Sequence, residues 1–331
     1  MEPAATDLRA LRPLGRSGIM VTPVGLGCWQ FSKGRGLPGK FWSILEDAEI
    51  GGIVAAALAG GINWFDTAEG YGGGESERAL ARSLRDLGLP PGQIVIATKW
   101  SPILRRASSI TGTIDVRLTN LAPFPIDLHQ IHNPWSFSPV ESQVEAMARL
   151  VEDGKVRSVG VSNFSRRQME RSHRALERFG LPLASNQVRY SLLDRRIETD
   201  GVLDAAKDLG ITVIAYSPLA QGIISGRFHD DPGLVRRSPG FRKYLPAFKR
   251  RALAKSLPVV EVLRRVAPKY GATPVEVALN WLIWKAGATV VAIPGATRAA
   301  QVTDFTAAMS FRLSGEDREE LDKVSAPFKA R

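Results

Sequence analysis

The chain is expected to fold as a (β/α)8 TIM barrel, an α/β fold with an N-terminal β-hairpin and extra C-terminal helices. From Pro23 onward short apolar runs alternate with helical patterns, each pair taking roughly 30 residues, which is the signature of repeated βα units. Eight such pairs in strict alternation suit a closed barrel better than an open sheet. The strand interiors are mostly apolar, as they must be when both faces are buried. No Pro/Gly/Ser-rich linker interrupts the 331 residues, so a single domain over 8–328 is expected, with flexible termini at 1–7 and 329–331.

The elements follow in order. Residues 8–22, with Arg16-Ser17-Gly18 between two short runs, read as a hairpin plugging the barrel bottom. Strands are expected at Val24–Gly27, Ile62–Phe65, Ile94–Thr98, Ile126–Ile131, Val156–Val161, Ala184–Gln187, Thr212–Tyr216 and Thr289–Ile293. Helical periodicity covers Ala48–Ala59, Ser76–Arg85, Thr111–Leu121, Val140–Asp153, Arg166–Arg178, Gly201–Leu209 and Leu257–Tyr270. Pro274 suits the first turn of a further helix through Trp284. The connection from Pro218 to Ser256 leaves a strand's C-terminal end and is too long for a turn, which marks it as a functional loop.

Composition excludes several classes. A single cysteine, Cys28, rules out a disulfide framework and leaves that residue to the core or a pocket. The longest uncharged stretch, Gly51 to Phe65, falls short of the roughly 20 residues that span a bilayer, so no membrane span is expected. Met1 to Asp7 lacks a positive n-region and an apolar h-region, and a cytoplasmic location is expected. The net charge of +11 is spread along the chain without a recognition motif, which argues against nucleic acid and suits a polyanionic cofactor. The densest basic cluster, Arg236, Arg237, Arg242, Lys243, Lys249, Arg250 and Arg251, reads either as a solvated loop or as a cofactor or substrate clamp.

In a barrel the active site lies where strand C-termini open into loops. Asp66, Lys99 and His132 each follow an expected strand, and Tyr71 stands five residues beyond Asp66. A metal hydrolase would need several inward ligands, but the chain has four histidines, and His129 and His132 fall on opposite faces of one strand. No metal site is expected. A Schiff-base lyase using Lys99 is conceivable, yet a lysine paired with Asp66 stays protonated, which suits an electrostatic role. Acid catalysis by a phenol remains: a tyrosine is protonated at neutral pH and can give its proton to a carbonyl oxygen that receives a hydride. Lys99 would stabilise the phenolate of Tyr71, Asp66 would hold Lys99, and His132 would align the substrate oxygen.

These residues resemble the aldo-keto reductase family, from about Leu14 to Pro327, and the order of motifs is similar to bacterial and plastid-like members. Asp66-Thr67-Ala68-Glu69-Gly70-Tyr71-Gly72 resembles the family's Asp-Thr-Ala-x-x-Tyr-Gly motif. Ala97-Thr98-Lys99 resembles its lysine strand, and Gln130-Ile131-His132-Asn133-Pro134 its histidine strand. The resemblance implies an NADPH/NADP+ cofactor, a small carbonyl substrate and a monomer or weak homo-oligomer. By the same resemblance Ser162, Asn163 and Gln187 meet the nicotinamide carboxamide, while Tyr216 stacks on the ring. It further implies that Ser217, Leu219 and Gly222 run beneath the pyrophosphate and that Gly27 and Trp29 border the cofactor.

In a barrel the phosphate site belongs near the last two strands and the helix that follows, where Gly295, Thr297, Arg298, Gln301 and Asp304 stand. Thr297 and Arg298 suit a 2′-phosphate. Gly34-Arg35-Gly36-Leu37-Pro38-Gly39 has the spacing of a dinucleotide fingerprint but no strand-to-helix turn, and is a decoy. Where the family often has Glu-Asn, this chain has Asp304-Phe305, which removes an amide from the adenine site. Trp29, Phe31, Trp100 and Trp135 fall near strand ends as candidates for an aromatic substrate pocket. The alternative function is a cofactor-binding regulatory protein of the same fold with little turnover.

Overall fold

A computed structural model describes residues 8–238 and 240–330. Two short strands, β1 (Arg12–Pro13) and β2 (Met20–Val21), pair antiparallel across a turn closed by the Leu14 N–H to the Ile19 carbonyl at 2.8 Å. Gly15 in this turn has φ +58° and lies so close to Ala184 that a Cβ would sit 2.4 Å from its carbonyl oxygen. Only glycine lets the hairpin seat this deeply. Leu14, Ile19 and Val21 join Trp64, Val95, Leu128, Ala184, Ile214 and Val291 in one apolar cluster, which is the plug and filling of the barrel.

The barrel is β3 (Leu26–Gly27), β4 (Trp64–Asp66), β5 (Val95–Trp100), β6 (Leu128–Ile131), β7 (Ser158–Ser162), β8 (Leu183–Arg189), β9 (Thr212–Tyr216) and β10 (Val290–Ile293). Neighbours in chain order pair in parallel. Parallel bridges Val24–Ala292 and Gly27–Gly295 join the first and last of these strands. Each strand coincides with a stretch expected from the sequence.

Helices form the outer layer, and a second, larger apolar cluster fills the space between them and the strands. Thr273 accepts the Glu276 N–H at 3.2 Å, and Pro274 opens the helix Pro274–Lys285 as expected. One helix differs from expectation. Arg250–Val266 begins seven residues before Leu257, because Pro258, which resembles a first-turn proline, stands in its interior. Burial of Leu253, Val259, Val260 and Leu263 on one face outweighs the hydrogen bond that Pro258 cannot donate. Two further helices, Ala299–Ala307 and Gly315–Val324, close the chain. Lys329, expected in a flexible tail, is held: its carbonyl accepts from the Thr199 hydroxyl at 3.0 Å and its amine lies 3.2 Å from Glu198.

The connection after β9 is built of short helical turns from Ala220 to Phe248, with a small core of Ile223, Phe228, Phe248 and Leu253. Of the basic cluster, Arg236, Arg237, Lys249, Arg250 and Arg251 are exposed. Among the described residues no helix is long and apolar enough to cross a membrane.

Candidate active site

The polar site is built by strand register. Asp66 ends β4 opposite Ala97, and Lys99, two residues further along β5, lies opposite Gln130 of β6. Alternation turns Ala97 and Lys99 into the barrel and Thr98 and Trp100 outward. Lys99 is fully buried, with its Nζ 2.5 Å from Asp66 Oδ1, 2.8 Å from the Thr67 carbonyl and 3.4 Å from the Tyr71 hydroxyl. The other oxygen of Asp66 accepts from Gln187 Nε2 at 2.8 Å and Gln130 Nε2 at 3.1 Å. Asp66 is therefore buried with both carboxylate oxygens partnered. Gly72, with φ +68° and 2.5 Å from Cβ position to the Ser32 carbonyl, lets the chain turn immediately after Tyr71.

Charge follows from these contacts. Burial alone would lower the Lys99 ammonium, but the Asp66 charge and then Tyr71 outweigh it and raise the net value. The Tyr71 phenol is raised, chiefly by burial, against an opposing pull from Lys99. His132, whose ring lies edge-on to Tyr71 with centroids 5.7 Å apart, is pushed down to about 3 by burial and by Lys99. At neutral pH the site holds a protonated phenol beside an ammonium and a neutral imidazole.

Asp66, Tyr71 and His132 line a cleft of about 890 Å³, with Lys99 buried behind them. Gly27, Trp29, Ser162, Asn163, Gln187 and Tyr216 line it, as do Ser217, Leu219, Gly222, Gly295, Thr297 and Gln301. Tyr216 donates its hydroxyl to Asn163 Oδ1 at 3.0 Å, and Ser162 Oγ donates to the Gln187 carbonyl at 2.8 Å. Positive φ at Asn163, Ser217, Ala220 and Gln221 bends the backbone around the cleft, a conformation non-glycine residues adopt at a cost of about 1–2 kcal/mol each. Gln301 Oε1 accepts from the Thr297 amide at 2.8 Å and folds the loop before helix Ala299–Ala307.

Other expected site residues are not brought to the cleft. Trp100 is buried among the helices, because it neighbours inward-facing Lys99 on a strand; its indole N–H reaches Ser109 Oγ at 3.2 Å. Trp135 is 69% exposed beyond the rim. Phe31 is buried in the core. Asp304 faces Glu276 of the neighbouring helix, and its carboxyl is raised by burial. Arg298 is exposed at the start of Ala299–Ala307, within reach of the charge on Arg227, which itself lines the cleft.

Among the lining residues that sequence reasoning did not single out, Phe41, Trp42, Arg227 and Gln30 matter most. Phe41 stacks on Trp29 with centroids 4.7 Å apart and Trp42 meets it edge-on at 5.7 Å, so the aromatic wall comes from the loop after β3. Arg227 follows Gly226 in the long connection. Gln30 is buried against Gly295, and its Oε1 has no partner among the described residues. A Cβ on Gly295 would lie 2.3 Å from that oxygen. An orphaned acceptor beside a bare backbone fits a hydroxyl or amide donor of a dinucleotide.

A model of the aldo/keto reductase family matches residues 23–326. The chain belongs to the aldo/keto reductase family. An oxidoreductase of Mycobacterium tuberculosis is 35% identical over 312 residues, covering 93% of this chain and 91% of that protein. The aldo-keto reductase YhdN of Bacillus subtilis is 30% identical over 317 residues, covering 93% and 91%. The structure of the glycerol dehydrogenase AKR11B4 of Gluconobacter oxydans superposes with a TM-score of 0.82 at 27% identity, covering 98% and 97%. As an aldo/keto reductase this chain is an oxidoreductase, and the barrel expected from its sequence is the fold of its structural neighbours.

Proposed function

We propose that this aldo/keto reductase reduces an aldehyde or ketone to an alcohol with NADPH, Tyr71 giving the proton to the carbonyl oxygen. The observation that carries this reading is the Lys99 ammonium, held by Asp66 at 2.5 Å and lying 3.4 Å from the hydroxyl of Tyr71, which lines the cleft. When bound, the reduced nicotinamide supplies a hydride. Tyr71 donates the proton, and Lys99 favours the phenolate left behind. Neutral His132 donates a hydrogen bond to the substrate oxygen and fixes its approach to Tyr71. Ser162, Asn163 and Gln187 hold the carboxamide, and Tyr216 supports the ring face. Ser217, Leu219, Gly222 and Arg227 run along the pyrophosphate, while Thr297 and Arg298 receive the 2′-phosphate. Trp29, Phe41 and Trp42 give the substrate an apolar aromatic seat.

Tyr71→Phe removes the phenolic hydroxyl that carries the transferred proton and keeps the ring. Its kcat for 4-nitrobenzaldehyde is expected to fall by at least about 10³-fold while NADPH affinity stays within about twofold. Retained turnover would remove Tyr71 from the acid role.

A further inference from the structure

Behind the reacting groups lies a buried ion network with no part in the chemistry above. Glu69 sits two residues before Tyr71 and reaches away from the cleft. Its Oε1 accepts from the Ser101 N–H at 2.5 Å and from the Arg105 guanidinium, and its Oε2 accepts from Arg117 Nη1 at 2.6 Å. Arg117, 7% exposed on helix Ser108–Leu121, has its Nε 2.7 Å from Glu77 Oε2, an ion pair whose N–H is not aligned for a hydrogen bond. Fully buried Glu77 accepts the Thr98 hydroxyl at 2.7 Å and Asn120 Nδ2 at 2.9 Å.

The network grips both partners of the proton donor. Thr98 immediately precedes Lys99, and Ser101 follows it by two residues, so Glu77 and Glu69 hold β5 on either side of the lysine. Glu69 at the same time holds the loop that carries Tyr71, and its N–H donates to the Lys99 carbonyl at 3.2 Å. Arg117 joins the two carboxylates, hydrogen-bonding Glu69 through Nη1 while its Nε pairs in charge with Glu77, a reach that the extended guanidinium has and a point-like ammonium does not match. The contact so framed, Tyr71 to Lys99 at 3.4 Å, is the longest that Lys99 makes. It is the one a small shift of loop against strand alters most, and displacements near 1 Å cost about 10²-fold in rate.

From this we infer that Arg117, bridging Glu69 and Glu77, is a positioning residue that sets the distance between the Tyr71 hydroxyl and the Lys99 ammonium. The inference rests on Tyr71 being the proton donor. Arg117→Met in the full chain is expected to lower kcat about 10- to 100-fold with NADPH affinity changed less than about twofold. Arg117→Lys is expected to recover only part of the loss. Thr98→Val, which deletes one tie and keeps the volume, is expected to lower kcat about 3- to 10-fold and carries the test should Arg117→Met not fold.

The deciding comparison is made in single turnover against Tyr71→Phe. With the phenol gone there is no distance left to set, so adding Arg117→Met, or Thr98→Val, is expected to cost less than about twofold more. An equal loss in both backgrounds, unchanged turnover in the single variants, or full recovery in Arg117→Lys would overturn the positioning role while leaving the acid role intact. Full turnover in Tyr71→Phe alone would overturn the acid role, and this inference with it.

Discussion

Arginine 298 and arginine 227 show how single side chains divide the recognition of one ligand. Burial, and then the neighbouring charge of Arg298, holds the Arg227 guanidinium below its ordinary value, so a cation lining the cleft and an exposed one outside it stay within range of each other. Such a pair favours a polyanion between or beside them. Arg298 is exposed at the head of Ala299–Ala307, where only the outermost phosphate of a dinucleotide is expected to reach it. A charge-assisted hydrogen bond to phosphate contributes about 1.5–3 kcal/mol, and tenfold in affinity is about 1.4 kcal/mol. Arg298→Ala is expected to weaken NADPH about tenfold or more and NADH less than about twofold, read by quenching of tryptophan fluorescence. Equal losses for the two cofactors would contradict the assignment of the 2′-phosphate.

At the scale of elements, β6 and the residue just past its end supply two histidines with different fates. His132 lies beyond the strand's end and lines the cleft, whereas His129, opposite Thr98, is buried and pushed down to about 3 by burial and then by Arg117. Unfolding frees His129 to titrate near its ordinary 6.5, so below that pH the unfolded chain binds a proton that the folded one refuses. Stability from this residue is complete above about pH 6.5 and falls toward pH 3. Between pH 7 and 5 the loss is about 2 kcal/mol. In urea unfolding, His129→Gln is expected to lose about 2 kcal/mol less than the parent chain over that interval. An identical loss in both would mean that His129 is not held neutral.

The legibility of the elements follows the same physics. All eight barrel strands were readable because burial on both faces writes a continuous apolar run, and Asp66, Lys99 and His132 because each polar residue breaks or ends such a run. Trp100 misled because position at a strand end says nothing of which way the side chain points; alternation from Lys99 settles that. Asp304 misled in the same way on a helix, where facing Glu276 depends on packing between elements. Phe41, Trp42 and Gln30 were illegible because they reach the cleft through irregular backbone after β3, where no period links sequence to direction. Pro258 hid the first turns of Arg250–Val266 by imitating a helix start.

At the scale of the whole molecule the barrel separates two tasks. Its lower half, plugged by the hairpin, is apolar filling, while the upper rim gathers polar residues from β3 to β10 around one cleft. The excess of positive charge is spread over the chain, yet Arg227 and Lys255 both line that cleft, so the general field and the local one attract the same anionic cofactor. The most direct test is to titrate the purified protein with NADPH and with NADH, following tryptophan fluorescence, and then to add 4-nitrobenzaldehyde and watch NADPH absorbance fall. Tighter binding of NADPH than of NADH, with steady turnover of the aldehyde, is the predicted result. Tight binding without turnover across a broad panel of carbonyl compounds would contradict the reductase and favour a regulatory protein, and no NADPH binding would contradict the reading of the cleft itself.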